Sequence, residues 1–471
     1  MSARFSLEEA AAAAGARVVS AGRAASFAGV FTDTRNPIPG GLFVALQGES
    51  FDGAAFAAEA VQKGAAGVIV PASALSRVSV DAAVLAVADT TRALGGLART
   101  FRGRHQDTRV VCITGSTGKT STKELIAEVL SASGPTLKTE GNLNNEIGVP
   151  LTLLRLESTH RFAAVECGMN HLGEIARLAS YADPDVAVVT NVGPVHLEGC
   201  GSLEGVAHAK GELFHALRPA GIAVANADEP AVLQQARLSL RKLVTFGATR
   251  GSDARLLSAH HGGKGLRVEL ELAGRRQQVE LQLIGTHNGH NAAAAAAVGL
   301  ALGLEQDAIL RGLANARTPG RRMRPVQLPG GGLLIDDCYN ANPSSTKAAL
   351  LTLTHLVRGK GRAIAVLGDM LELGGTENDL HRDVGRFAAG AGLALLVCFG
   401  KRAREIGEGA IESGLREAFV KYTEDPAEAV RLVQEGARPE DVILVKGSRG
   451  MKMERISDPL SGQTQPKPGG H

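Results

Sequence analysis

The chain has no tryptophan, and aromatic residues fill only 3% of its 471 positions. Glycine and alanine take their place, which points to close packing of helices on sheets in an α/β protein. An excess of charge is missing too. Lysine and arginine number 51 against 48 acids, a formal net charge of +3, so nothing argues for a nucleic-acid surface or a polybasic membrane patch. Paired cysteines are absent. Cys112, Cys167, Cys200, Cys338 and Cys398 are scattered and form no C-x-x-C, the pattern of buried free thiols in a reducing cytosol. The N-terminus lacks a basic-then-apolar signal, and the longest apolar run, 292–304, is too short to span a bilayer. A soluble, cytoplasmic protein is expected.

What the chain does have is length and alternation. The 471 residues suffice for two to four domains, each with its own core. Short β-like runs at 42–46, 67–70 and 84–87 surround an alanine-rich helix near 54–63. A linking helix is expected over 90–104, with Leu94, Leu97 and Phe101 at helical spacing. Buried-type strands follow at 109–114, 162–166, 186–192 and 222–226, with helices at 120–131 and 203–217. Such alternation predicts a largely parallel sheet covered on both faces. Runs 266–272 and 278–284, joined by 273–277, read as a β-hairpin. Alternation resumes at 333–336, 363–367, 394–399 and 442–445. The expected fold is α/β with three domains: a small N-terminal α/β domain (1–88), a central P-loop-like domain with a mostly parallel sheet (89–318) and a C-terminal Rossmann-like domain (319–456). The polar tail 457–471 is expected to be disordered.

The strand 109–114 runs into Thr114-Gly115-Ser116-Thr117-Gly118-Lys119-Thr120 and then a helix. These are the parts of a phosphate cradle. Backbone N–H groups face phosphate oxygens, Lys119 adds a cation, and the Thr120 hydroxyl can ligate Mg²⁺. The usual motif has a glycine where Ile113 stands, so this loop is the short form, Gly-x-x-Gly-Lys-Thr. An ordinary strand-to-helix turn is the bland alternative, and the Lys-Thr pair argues against it.

Other candidates each carry a plain reading. Glu166 ends a strand, where a Mg²⁺ ligand or base belongs, or is a surface turn acid. His196 follows another strand and sits at the same crevice edge, though a lone histidine is usually structural. Lys210 lies on a helix and by composition is one more solvated lysine. Asn142, Asn144 and Asn145 suit a polar ligand or a turn. His287, Asn288 and Asn291 open an alanine-rich helix, where a cap accounts for one asparagine. Arg321 and Arg322 form a surface pair or a phosphate clamp. Asp336-Asp337-Cys338-Tyr339-Asn340-Ala341-Asn342-Pro343 reads better as a binding loop than as a turn.

In this order the pieces resemble the Mur ligases, ATP-dependent amide-forming enzymes of peptidoglycan precursor synthesis, over nearly the whole chain. The shortened phosphate loop is the family's form. The runs 142–150, 166–169, 173–175, 336–343, 367–374 and 446–449 are similar to those of members that add D-alanyl-D-alanine to UDP-N-acetylmuramoyl-tripeptide. The resemblance implies that Glu166 and His196 join Thr120 as Mg²⁺ ligands and that Lys210 reacts with CO₂ to form a carbamate. One ion would sit at Thr120 and Glu166, a second at His196 and the carbamylated lysine. It implies ATP contacts from residues 114–120, His287, Asn288, Asn291, Arg321, Asp336, Asp337 and Tyr339. The uridine end of the acceptor would meet Thr32, Asp33, Thr34, Arg35, Gly48 and Asp52, with Asn142, Asn144 and Asn145 further along. Asn340 and Asn342 would face the incoming dipeptide. The Arg321-Arg322 pair leaves open which is the clamp, and Ser344-Ser345 stands where an acid is common.

The implied reaction is ATP-dependent C–N bond formation through an acyl phosphate, by a cytoplasmic monomer acting on small molecules, with neither nucleic acid nor membrane as partner. A folylpolyglutamate synthetase-like ligase is the alternative within the class; it needs no uridine-site domain, so residues 33–35 argue against it. A regulatory or transport P-loop NTPase has no use for the asparagine cluster, His196 and Lys210 together.

Overall fold

Apolar strands alternating with helices sort into three main sheets in a computed structural model of the chain, which describes residues 3–23, 25–48, 51–262, 265–317, 320–357 and 361–462. The first sheet has five strands in the order Arg17–Ser20, Ala83–Val87, Gly67–Pro71, Leu42–Val44 and Val30–Phe31, all parallel except Arg17–Ser20. Helix Thr90–Gly103 leads onward, capped by Asp89, whose carboxylate accepts from the N–H groups of Thr91 and Arg92. Its apolar stripe is buried: Leu94, Leu97 and Phe101 join one cluster reaching from Phe5 and Leu85 to Val110 and Leu178. That shared core fixes the first domain against the second.

The central sheet has nine strands, in the order Thr136–Lys138, Phe162–Glu166, Arg109–Thr114, Val186–Val189, Ile222–Asn226, Lys242–Gly247, Ala254–Gly262, Gly265–Leu272 and Arg275–Leu281. The first seven run parallel, and Gly265–Leu272 is antiparallel to both of its neighbours, Ala254–Gly262 and Arg275–Leu281. Helix Asn288–Ala301 packs against helix Lys119–Ser131, and Ala292 to Val298 are fully buried there. A helix that is apolar all round belongs inside, and methyl side chains let the two axes approach closely. The third sheet orders Arg324–Gln327, Leu333–Asp337, Val442–Lys446, Ala363–Gly368, Leu393–Phe399 and Val420–Thr423, with only the first strand antiparallel. All five cysteines are free and buried. Among the described residues, no helix is long and apolar enough to cross a membrane.

Three expectations need correction. The hairpin turn is not 273–277 but two residues, Ala273 (φ 47°) and Gly274 (φ 79°), and Arg275 already pairs with Leu272. Two successive positive φ values suit the twist of a tight hairpin. The strand Ala254–Gly262, pairing with Gly265–Leu272, was not anticipated. The tail is ordered further than its composition suggests. Helix Glu454–Leu460 buries Ile456, Ser457 and Asp458, and residues 463–471 lie outside the described residues.

Candidate active site

The phosphate loop leaves the C-terminal end of the Arg109–Thr114 strand, beside Glu166 at the end of its neighbour; Ile113 pairs with Glu166 across the ladder. Gly115 has φ 152°, and a Cβ there would meet Thr190 Oγ1 at 1.9 Å, so only glycine fits. Gly118 (φ 76°) turns the chain into helix Lys119–Ser131, which carries no side-chain cap. The first-turn N–H groups are thereby left facing the cleft, the arrangement that favours an anion. The segment after Val186–Val189 braces this loop. Asn191 accepts from Thr117 N at 2.8 Å and donates to Thr117 Oγ1 at 2.8 Å; Thr190 Oγ1 donates to Thr117 O at 2.7 Å; Gly193 N donates to Ser116 Oγ at 2.8 Å. Lys119 Nζ folds back to donate to Gly115 O at 2.7 Å. Burial lowers its pKa, with Glu166 pulling the other way and Arg322 adding to the fall.

Glu166 is only 2% exposed and is therefore no surface turn acid. Thr120 Oγ1 donates to its Oε2 at 2.8 Å and Asn144 Nδ2 to its Oε1 at 2.8 Å, while its own N–H donates to Thr139 Oγ1. Lys210 is not a solvated lysine. It is 1% exposed on helix Leu203–His215, and its ammonium makes neither hydrogen bond nor ion pair with any described residue. Burial, then the Lys119 charge, pushes its pKa well down. His196 sits at φ 55°, a left-handed conformation that non-glycine residues adopt at a cost. Burial and the charges of Lys119 and Lys210 lower it to about 4, so the ring is neutral at pH 7 and retains a lone pair.

A hydroxyl next to a carboxylate is a hard-oxygen donor set, so Thr120 and Glu166 fit Mg²⁺. Among the described residues, no three His, Cys, Asp or Glu side chains gather into a ready-made metal cage, so an ion there would take most of its ligands from phosphate and water. His196 with Lys210 does not fit as it stands, because an amine offers a metal no oxygen and, when protonated, repels it.

The cleft around these groups encloses about 1010 Å³ and lies between the central and third sheets. From the central side it takes Thr114, Ser116 to Thr120, Asn142, Asn144, Asn145, Glu166, His196, Lys210, His287, Asn288 and Asn291; from the third domain, Asp337, Tyr339, Asn340 and Asn342. Several asparagine amides are already engaged. Asn291 Oδ1 accepts from Thr122 Oγ1, its Nδ2 donates to Asn288 Oδ1, and Asn288 Nδ2 donates to Ile284 O. Asn145 Oδ1 accepts from the N–H groups of Ile147 and Gly148, and Asn342 Oδ1 caps helix Pro343–Leu356.

The two neighbouring arginines face different ways. Arg322 lines the cleft and stacks 3.9 Å over the Tyr339 ring. Arg321 turns away. Its Nη1 and Nη2 reach Asp458 at 2.7 and 3.0 Å, and Nη1 reaches Asp336 Oδ2 at 3.0 Å. Arg321 and Asp336, expected as ATP contacts, do not line the cleft: Asp336 is fully buried and also pairs with Arg324. Neighbouring residues on a strand face opposite ways, which puts Asp337 in the cleft and Asp336 behind it. Asp337 accepts from Lys446 Nζ at 2.6 Å and from Met323 N at 3.0 Å. The Lys446–Asp337 pair and the Asn191 brace were not singled out in advance. Asn191 carried a signal, lying beside Gly193-Pro194 after a buried strand.

The first-domain candidates lie outside this cleft, at the ends of the Val30–Phe31 and Leu42–Val44 strands. Arg35 grips both carboxylate oxygens of Asp33 at 2.8 to 3.0 Å, which lowers the Asp33 pKa. Lys63 Nζ donates to Thr34 O at 2.9 Å, and Asp52 pairs with Arg77 at 2.9 Å. Gly48 pairs with Phe51 in a two-strand ribbon. Thr91, at the start of the linking helix, lines the cleft on the side of the first domain.

Three family models match in the same order as the three sheets: Mur ligase family, catalytic domain, over residues 26–102; Mur ligase middle domain over 113–299; and Mur ligase, glutamate ligase domain, over 321–449. The chain belongs to the Mur ligase family. Within it, the chain is 42% identical to the UDP-N-acetylmuramoyl-tripeptide–D-alanyl-D-alanine ligase of Escherichia coli (strain K12), over 91% of this chain and 92% of that one. A crystal structure of MurF from Acinetobacter baumannii is similar at TM-score 0.89 and 32% identity, covering 98% of this chain and 100% of that one. The MurF ligase from Thermotoga maritima, crystallised with ADP, gives TM-score 0.82 and 28% identity over 92% and 97% of the two chains.

Proposed function

We propose that this chain is an ATP-dependent ligase that joins D-alanyl-D-alanine to UDP-N-acetylmuramoyl-tripeptide in peptidoglycan precursor synthesis. The observation that carries the reading is the shared cleft, where an uncapped phosphate loop, the Thr120–Glu166 pair and buried Lys210 face the third-domain residues Asp337 to Asn342. The acceptor carboxylate attacks the γ-phosphorus of ATP and gives an acyl phosphate with ADP. The dipeptide amine then attacks the acyl carbon and phosphate leaves. Lys119 and the loop N–H groups hold the phosphates in line, and Arg322 approaches from the third domain. Mg²⁺ at Thr120 and Glu166 would neutralise phosphate charge. Lys210 is read as a carbamate. Burial without a counter-charge supports this, because it favours the neutral amine that CO₂ requires. With that group, Lys210 and neutral His196 fit a second Mg²⁺.

The reading is tested by the amine. With the tripeptide acceptor, D-alanyl-D-alanine should support ADP release at least ~100-fold faster than L-lysine, diaminopimelate or glutamate. Efficient use of a single amino acid overturns it. The acceptor's uridine end is assigned to Thr32–Arg35 and Asp52. Arg35→Ala should raise the acceptor KM about 10-fold, the loss of one charge-assisted contact, while the ATP KM stays constant. Equal damage to both constants would mean that this segment does not bind the acceptor.

A further inference from the structure

The cleft presents seven carboxylates among the described residues, and their partners separate them. Glu166 is held by Thr120 and Asn144, Asp337 by Lys446 and Met323 N, and Glu146 by Arg177. Glu174 accepts from Asn170 N and faces His171, and Asp228 accepts from Ala248 N and from Thr249. Two have no side-chain partner among the described residues, Glu229 and Glu372. Glu229 follows the Ile222–Asn226 strand, on the far side of the phosphate loop from Glu166 in the strand order. Glu372 belongs to the third domain, on the loop that follows the Ala363–Gly368 strand.

That loop is built to hold its shape. Glu372 has φ 65°, a left-handed conformation in a non-glycine residue. Such strain persists only where the surroundings enforce it, and here they do. Met370 N donates to Nε2 of the fully buried His381, whose Nδ1 lies 2.6 Å from Glu377 O. Leu371 N donates to Ser448 Oγ, and Asp369 Oδ1 accepts from Ala403 N. Three consecutive residues are tied to three different elements, and the side chain of the next, exposed in the cleft, has no partner among the described residues.

An amine substrate arrives as an ammonium and must lose a proton before it can attack. We infer that Glu372 docks the ammonium of the incoming dipeptide and takes that proton. The inference rests on the ligase reading above. The C–N bond then forms from the amine lone pair, the acyl C–O bond breaks with its electron pair leaving on phosphate, and the second nitrogen proton goes to the departing phosphate. Glu372 is the catalytic base of this second step, and His381 and Ser448 are positioning residues.

The test uses the whole enzyme with ATP and acceptor, and two nucleophiles: D-alanyl-D-alanine and hydroxylamine, a neutral amine at pH 7. Glu372→Gln should lower turnover with the dipeptide by about 100-fold and leave hydroxamate formation unchanged. Equal loss with both nucleophiles, or no loss with the dipeptide, overturns the assignment. Hydroxamate formation by the unaltered enzyme reports the acyl phosphate independently, so its absence would count against the ligase reading instead.

Discussion

Lys119→Ala is expected to reduce ADP formation by roughly 10³-fold, the scale seen when one preorganised charge is removed from a transition state. The same change should leave thermal stability nearly intact. Lys119 opens its helix with the side chain lining the cleft, so its loss enlarges the cleft and leaves no core cavity, and among the described residues its ammonium donates to Gly115 O alone. Its pKa is lowered in the fold, chiefly by burial. A lysine whose folded pKa lies below its unfolded value opposes folding wherever the unfolded chain keeps it protonated, so at neutral pH its removal relieves a cost. Steady-state ADP release and a melting curve on the same preparation check both halves. Normal turnover would remove the loop from the phosphate site, and a large drop in Tm would make Lys119 a structural residue.

Lys210→Ala should be nearly as damaging, by about 10²- to 10³-fold, and should respond to chemistry from outside. Acetate or formate can enter the space vacated by the side chain and supply the oxygens that the proposed carbamate would provide. Partial recovery with these anions, and none with chloride, is the expected pattern. Lys210→Arg keeps a cation and cannot be carbamylated, so it should stay inactive with or without acetate. An independent signal comes from ¹³C-labelled bicarbonate, which should give a carbamate resonance in the unaltered enzyme that Lys210→Ala lacks. A fully active Lys210→Ala enzyme, or an unaltered enzyme with no such resonance, would retire the carbamate.

Much of this was legible in the chain where the physics is local. Strands Arg109–Thr114, Phe162–Glu166 and Ile222–Asn226 match the expected runs to the residue, because interior parallel strands are buried on both faces and their middles read as unbroken apolar runs. The hairpin failed where that condition failed. Arg275 and Arg276 lie exposed on an edge strand, and polar residues there read as loop. Asn291 lines the cleft as expected of a residue near the ligand, but the partner of its amide oxygen, Thr122, lies 169 positions earlier and could not be read locally. The direction in which Arg321 turns could not be read locally either, because its partner Asp458 lies 137 residues further along. Lys210 was invisible for the same reason, since a helix pattern does not say which lysine faces a cleft. The family resemblance, unlike composition, did point to it.

The Arg321–Asp458 contact has a mechanical meaning. It ties the strand of chain that enters the third domain to the last helix that leaves it, and Asp336 anchors both to the sheet. The domain is thus buckled shut at its own threshold. Any swing of the third domain about its connection to the central one carries Arg322, the Tyr339 ring beneath it and the terminal helix as one lever. Trimming the chain back past Asp458 would unfasten the buckle, and the slack would appear at Arg322, in the cleft itself.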